Sequence, residues 1–256
     1  MYNTNVVHEI LKTLAYKTQL QSQINGIFAQ KIDNVQSVIN SSPDNETIDE
    51  INNVFSNGVY YINSYTNSLN QTGSVVYPFN SLNNIQKLIT NTKKPLTFYI
   101  TGIFNESINL TNNSNYEIQI IGVSNCVINS NVKLYGNSVI IFKTMDINSI
   151  ENVNGNVHII NCNINDLKLS SKSVVNDCKI ISISLINNVS GAISNSVIEQ
   201  NDESKYAIYH NNPLINSLYI VNNIIKGNVV IDNIDHVYHN LFDNNKGIST
   251  NGNVQR

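Results

Sequence analysis

The chain has 256 residues, a formal charge of −3 at pH 7, 41% hydrophobic residues and only 13% charged ones, roughly half the charged share of an average globular domain. One arginine, Arg256, in the whole chain argues against nucleic-acid binding, which needs a basic stripe to meet phosphates. No apolar run approaches the ~18 residues of a membrane span, so no membrane insertion is expected. Asparagine takes the place of charge: there are 49 Asn and 38 Ile, together about a third of the chain. The first residues, MYNTNVVHEILK, carry no basic segment followed by an apolar one, and no secretory leader is expected. Three cysteines do not make a disulfide framework, and no Cys-x-x-Cys or His-x-x-x-His spacing points to a metal site. No metal and no cofactor are therefore expected.

In chain order, residues 1–41 read as a helix with an imperfect heptad stripe. Val7, Leu14, Phe28 and Val35 recur at seven-residue spacing, with Ile10 and Ile24 at the second seam position. With so few apolar positions this helix needs a partner; it reads as an assembly arm, with the stripe Val7, Ile10, Leu14, Ile24, Phe28, Val35 as the expected oligomerisation surface, the alternative being a helix folded back on its own domain. Ser41-Ser42-Pro43-Asp44-Asn45 breaks it. Residues 46–55 form a short helix closed by Asn57-Gly58, Val59-Tyr60-Tyr61-Ile62 a strand, residues 66–76 a polar loop, and residues 81–91 a third helix with Ser81 as N-cap. Strands follow at 96–101 and 107–110. The expected domains are an assembly arm over 1–45, a helix-strand-helix cap over 46–95 and the main body over 96–256.

From about residue 116 the chain repeats. Seven segments align on a polar residue: Asn125, Thr144, Asn161, Asp177, Asn195, Asn222 and His239, at steps of 19, 17, 16, 18, 27 and 17. Two positions before each anchor the residue is apolar (Val123, Phe142, Ile159, Val175, Ile193, Ile220, Val237), and three positions after it is apolar again (Ile128, Ile147, Ile164, Ile180, Ile198, Ile225, Phe242). Five is an odd separation, so on one straight strand the two sets would face opposite sides. If both face inward, the chain bends at the anchor, and Asn and Asp suit such a bend because they tolerate the left-handed conformation. Each unit of 16–19 residues is too short for a βαβ crossover and reads as one turn of a coil of short strands whose turns stack in parallel. A parallel β-helix of about seven or more turns is the expected fold, mainly β, with the helix of the lead-in covering the open edge at its start. Amides repeated at one position of successive turns can bond along the axis as a ladder. One position after the anchors, Cys126, Met145, Cys162 and Cys178 form an inner sulfur column, expected to hold free thiols acting as small hydrophobes.

The corner segments IVNNIIKGN (220–228), VHIINCNIND (157–166) and SVVNDCKIIS (173–182), together with the lead-in Tyr60-Tyr61-Ile62, Gly73 and Tyr77-Pro78-Phe79-Asn80-Ser81-Leu82, resemble the pectin-lyase-like right-handed β-helix superfamily over roughly residues 59–245. The resemblance implies fold more than function. The superfamily includes polysaccharide lyases and hydrolases as well as bacteriophage tailspikes and fibres. An arm ahead of a β-helix with no leader is organised more like the latter. The implied role is a non-enzymatic virion appendage, a homo-oligomer with a trimer favoured, joined to other virion proteins through the arm and presenting its surface to host glycans. A lyase or hydrolase and a glycan-free connector are the alternatives.

Candidate chemistry is sparse. The carboxylates of the coil (Asp146, Glu151, Asp166, Asp177, Glu199, Asp232, Asp235, Asp243) are scattered, and glycoside hydrolysis needs a pair at defined separation, so no catalytic residue is assigned. The 27-residue step stands out. Its excess falls in residues 199–213, EQNDESKYAIYHNNP, an insertion expected to project as a loop. Asp202, Glu203, Tyr206, Tyr209 and His210 are the expected glycan-binding residues, since tyrosine faces flanked by carboxylates suit sugar stacking and hydroxyl bonding.

Overall fold

The computed structural model describes residues 57–67, 71–74, 77–90, 92–186, 189–210, 216–231, 234–243, 248–249 and 254–255. The expected helices over 1–41 and 46–55, and with them the stripe from Val7 to Val35, lie outside the described residues. From Gly58 onward the chain is a parallel β-solenoid of about eight turns. Ten strands form a first sheet, from Val59–Asn63 through Leu96–Thr101, Val139–Lys143, Asn156–Ile160 and Lys172–Asn176 to Val254–Gln255. Twelve form a second, including Val127–Gly136, Asp146–Asn152, Asn163–Leu169 and Lys179–Leu185. Every strand pairing is parallel, as a coil that always runs the same way requires. The first strand, Val59–Asn63, already pairs residue for residue with Leu96–Thr101, so the coil takes in a strand of the expected cap.

The repeat register is realised side chain by side chain. Ile164 pairs with Ile147 on one side and Ile180 on the other, and the three are 1%, 2% and 1% exposed. All seven anchors have left-handed backbone: φ is 51° at Asn125, 56° at Thr144, 53° at Asn161, 55° at Asp177, 51° at Asn195, 57° at Asn222 and 58° at His239. The only other non-glycine residue with positive φ among the described residues is Ser124. At the first anchor the expected inward position is wrong. Val123 is 45% exposed, because the pairing sets Ile120 opposite Phe142. The Asn125 corner is three residues longer than the next and pushes Val123 outward.

A second bend lies inside the strands of the second sheet. Ile147 and Ile150, Ile164 and Leu167, and Ile180 and Ile183 are all buried although three residues apart, which no straight strand allows. The coil therefore has three flanks: the first sheet and two segments of the second. Buried Asn112 and Asn152 serve the return to the first sheet. The Asn112 side chain donates to Tyr116 O and Val139 O, both at 3.0 Å, and Asn152 Oδ1 accepts from Gly155 N–H at 2.9 Å.

The helix Asn83–Thr90 covers the starting edge. Ser81 Oγ accepts from Asn83 N–H at 3.1 Å, the expected N-cap, and Glu106 Oε1 accepts from Leu82 N–H. Leu82, Ile85 and Ile89 are buried against the core. Gln86 clasps the edge strand Ile108–Asn112 of the second sheet, its Oε1 accepting from Thr111 N–H at 2.6 Å and its amide donating to Thr111 O at 3.4 Å. Two backbone groups that would template another strand are thereby occupied.

The sulfur column is buried and its three thiols are free. Burial pushes Cys126 and Cys162 up to about 12 and raises Cys178 as well. Past Cys178 the column turns polar. Ser196 Oγ accepts from Cys178 N–H at 3.1 Å, Asn223 Oδ1 from Ser196 N–H at 2.9 Å, and Asn240 Oδ1 from both Asn223 N–H and its amide at 3.0 Å. Outward amide pairs also form, Asn165 to Asn148 and Asn129 to Asn105, each 3.0 Å. The expected ladder thus exists as short runs set where two amides fall in register.

Candidate ligand-binding groove

The nine extra residues of the long step divide in two. Ile198 stays in register with Ile180 and Ile208 with Ile183, so seven fall between Ile198 and Ile208 and the other two after His210. The first part of the insertion projects. Tyr206–His210 returns as a strand of the second sheet, with a register shift between Tyr206 and Ile208, which corrects the expectation of a single protruding loop over 199–213.

The projecting turn is held at both ends. Asp202 Oδ1 accepts from the Ser204 hydroxyl at 2.6 Å and Ser204 N–H at 3.0 Å, and Lys205 Nζ lies 3.4 Å from Oδ2. The Ser204 hydroxyl, then its amide, hold the Asp202 carboxyl below the usual range. From the next turn, Asn228 donates to Glu203 O at 2.7 Å. Tyr206 and Tyr209 stand outside it, 43% and 39% exposed, with ring centroids 5.1 Å apart and planes at 39°. His210 does not join them. It is fully buried, because Tyr209 faces out and successive side chains on a strand alternate. The structure thus places Asp202, Glu203, Tyr206 and Tyr209 on the surface and His210 in the interior.

Next to this turn the second bend makes a groove of about 480 Å³, lined by Asn131, Asn148, Ser149, Asn165, Asp166, Lys168, Ile181, Ser182, Gln200 and Lys205. Its floor is one column in register, Asn131, Ser149, Asp166 and Ser182, so it runs along the axis for about 15 Å at the ~4.8 Å strand spacing. Gln200 and Lys205 bring the insertion to one end. One wall continues as the outward column Lys168, Ser184, Tyr209, which carries the surface from the groove to the tyrosines. The lining is mostly amide and hydroxyl, and its charges are paired: Lys168 lies 3.7 Å from Asp166, Lys205 pairs with Asp202 beside the groove, and Ser182 donates to Asp166 Oδ1 at 3.1 Å.

Other carboxylates of the coil bond to their own neighbours. Glu151 lies 3.0 Å from Lys133 and Glu199 3.8 Å from Lys226, while Asp146 accepts from Asn163 at 2.6 Å. Among the described residues no three His, Cys, Asp or Glu side chains gather as a metal site, and no helix there is long and apolar enough to cross a membrane. Sequence reasoning missed the groove, although its floor was signalled by the three-residue spacing of apolar positions that marks the second bend. Comparison with known proteins finds no family model, curated protein or solved structure that matches the chain.

Proposed function

We propose that this chain is a rigid structural appendage that binds neutral glycans along the axial groove and on the adjoining Tyr206–Tyr209 shelf, without cleaving them. The observation that carries this reading is the continuity of an amide- and hydroxyl-lined furrow with a pair of exposed rings on a β-solenoid. Sugars offer hydroxyls to the first and apolar ring faces to the second, and a scaffold stacked turn on turn holds both at fixed spacing. Asp166 is the carboxylate lining the groove, and its bonds to Ser182 and Lys168 suit an acceptor held still better than a general acid. Glycoside hydrolysis works with two such groups, which favours binding over turnover. The setting proposed is a virus or phage particle with the chain as a homo-oligomer, on the organisation of a heptad-patterned arm ahead of a solenoid; co-sedimentation with particles tests it.

Glycan-array binding of the whole chain, with wild type beside Tyr206→Ala/Tyr209→Ala, tests the site. The expected result is retention of neutral oligosaccharides by wild type, loss of at least about tenfold in affinity in the double variant from removing two stacking faces, and no release of reducing ends. Absence of binding by wild type refutes the reading. Release of reducing ends or unsaturated uronides, lost in Asp166→Asn, replaces it with an enzyme.

A further inference from the structure

The outer surface of the first sheet is chemically unlike the rest of the coil. Two outward columns run along it in unbroken register. One passes from Val59 through Ile141, Val174 and Ala192 to His236, the other from Tyr61 through Ile121 and Ile160 to Tyr238. Of the eighteen positions in these two columns one is charged, Lys143, and its ammonium donates to Gln119 Oε1 at 3.0 Å within the same face. No carboxylate stands among them. His158, also on this face, is held below its usual range by burial, so it is neutral at neutral pH. The second sheet offers the internal comparison. Its two outward columns, running from Ile103 to Leu241 and from Asn109 to Val230, hold fifteen positions, of which five are charged: Lys133, Asp146, Glu151, Lys168 and Lys179.

A wide, neutral, half-apolar sheet face needs a cover, and the shape of this one selects it. The nine strands carrying the columns span about 38 Å along the axis and about 16 Å across once the edge positions are included, among them the exposed Lys172, roughly 600 Å² a side. Two such faces packed together bury about 1,200 Å², the lower bound for a specific stable interface. Sheets pack face to face ~10 Å apart when both present flat rows of side chains. A two-fold axis sets each residue of a patch against that same patch on the other copy, so a charged patch meets its own sign, whereas a neutral one does not. A three-fold arrangement would leave a flat face half covered. At the end of the face nearer the C-terminus Tyr219 and His236 already stack, with centroids 4.3 Å apart and planes at 4°, a flat aromatic tile rather than a ragged edge.

We propose that the outer face of the first sheet is the seat of a second copy of this chain, packed across a two-fold axis with Ile121, Ile160, Val174 and Ala192 at its centre. This assembly is independent of any glycan and leaves the groove, on another flank of the coil, open.

Sedimentation velocity of the whole chain over a concentration series tests it, comparing wild type, Val174→Lys/Ala192→Lys and Val197→Lys. The last places the same charge on an outward, half-buried valine of the second sheet. Wild type is expected at twice the chain mass. The double variant is expected to associate at least about 100-fold more weakly, because four ammonium groups would be buried face to face, and Val197→Lys is expected to match wild type. Should the double variant fail to fold, Val174→Cys and Val197→Cys replace it. Maleimide labelling in the assembled protein is expected to be slow at position 174 and fast at 197. A mass of one or three chains, equal association of the two lysine variants, or equal labelling at the two cysteines overturns the proposal.

Discussion

A corner of the coil offers a direct test of why the sequence folds as it does. Asn161 sits at φ 53° with its side chain exposed, between the buried Ile159 and Cys162. An ordinary L-residue in this conformation costs about 1–2 kcal/mol, and a β-branched one falls at the upper end or beyond because its Cβ substituents crowd the following carbonyl. Glycine carries no such penalty. Asn161→Val is therefore expected to destabilise the solenoid by about 2 kcal/mol, and Asn161→Gly to stay within about 1 kcal/mol of wild type. For a body of this size each kcal/mol moves the midpoint by about 2–4 °C, so the valine variant should melt about 4–8 °C lower. Lys179→Val is the control. It adds the same side chain at an exposed strand position where valine suits the backbone, and should change stability by no more than about 0.5 kcal/mol. Thermal melts followed by circular dichroism near 218 nm, the ordinary strand band, measure all three. If Asn161→Val melts with wild type, or if the glycine and valine variants fall together, the left-handed corner is not what asparagine supplies. Thr144 shows the geometry carried by an unsuited residue: at φ 56° its hydroxyl donates to Gly122 O at 2.7 Å, a bond that offsets part of the strain.

Two further outcomes follow from the column beside the corners. With burial raising all three thiols, none should react with Ellman's reagent at pH 8 in the folded protein and all three should in urea; one fast thiol before unfolding would contradict the column. Asn223→Leu should lower stability by about 2–4 kcal/mol, because it leaves the buried Ser196 N–H without its acceptor at 2.9 Å and removes the bond from the Asn223 amide to Ile193 O at 2.9 Å. A urea midpoint unchanged from wild type would show that the polar run contributes nothing.

The corners were legible because a parity argument needs only two columns and an odd gap. All seven anchors chosen that way have left-handed backbone, and the strand expected over 96–101 has those bounds. The same argument applied to Ile147 and Ile150, or Ile164 and Leu167, would have exposed the second bend and with it the groove. It escaped notice because the polar residues between them, such as Asn148-Ser149 and Asn165-Asp166, look like ordinary outward positions of a strand. Val123 misled for the opposite reason: an apolar residue occupied the expected column position while a longer corner moved the true equivalent back to Ile120. His210 falls to the structure rather than to the sequence. Once Tyr206–His210 is a strand and not a loop, Tyr209 and His210 cannot share a face. What made the loop reading attractive, a length excess dense in charge and rings, was blind to where within the excess the chain rejoins the stack.

The composition is a consequence of stacking rather than a separate fact. Each turn needs a branched apolar residue at every inward position, which isoleucine fills because it suits extended backbone and packs on its copy one strand away. Each turn also needs a residue tolerant of the left-handed corner, and outward positions that do not place like charges 4.8 Å apart on neighbouring strands. Asparagine meets both demands: it accepts the corner at Asn161, Asn195 and Asn222, and it can donate to a neighbouring copy of itself, as Asn165 does to Asn148. Charge then survives where opposite signs alternate up a column, as in Lys133, Glu151, Lys168, and is nearly absent from the first sheet. In a coil so constrained the surface is free to differ only flank by flank, and this chain uses that freedom to place a polar furrow on one side and a neutral plane on another.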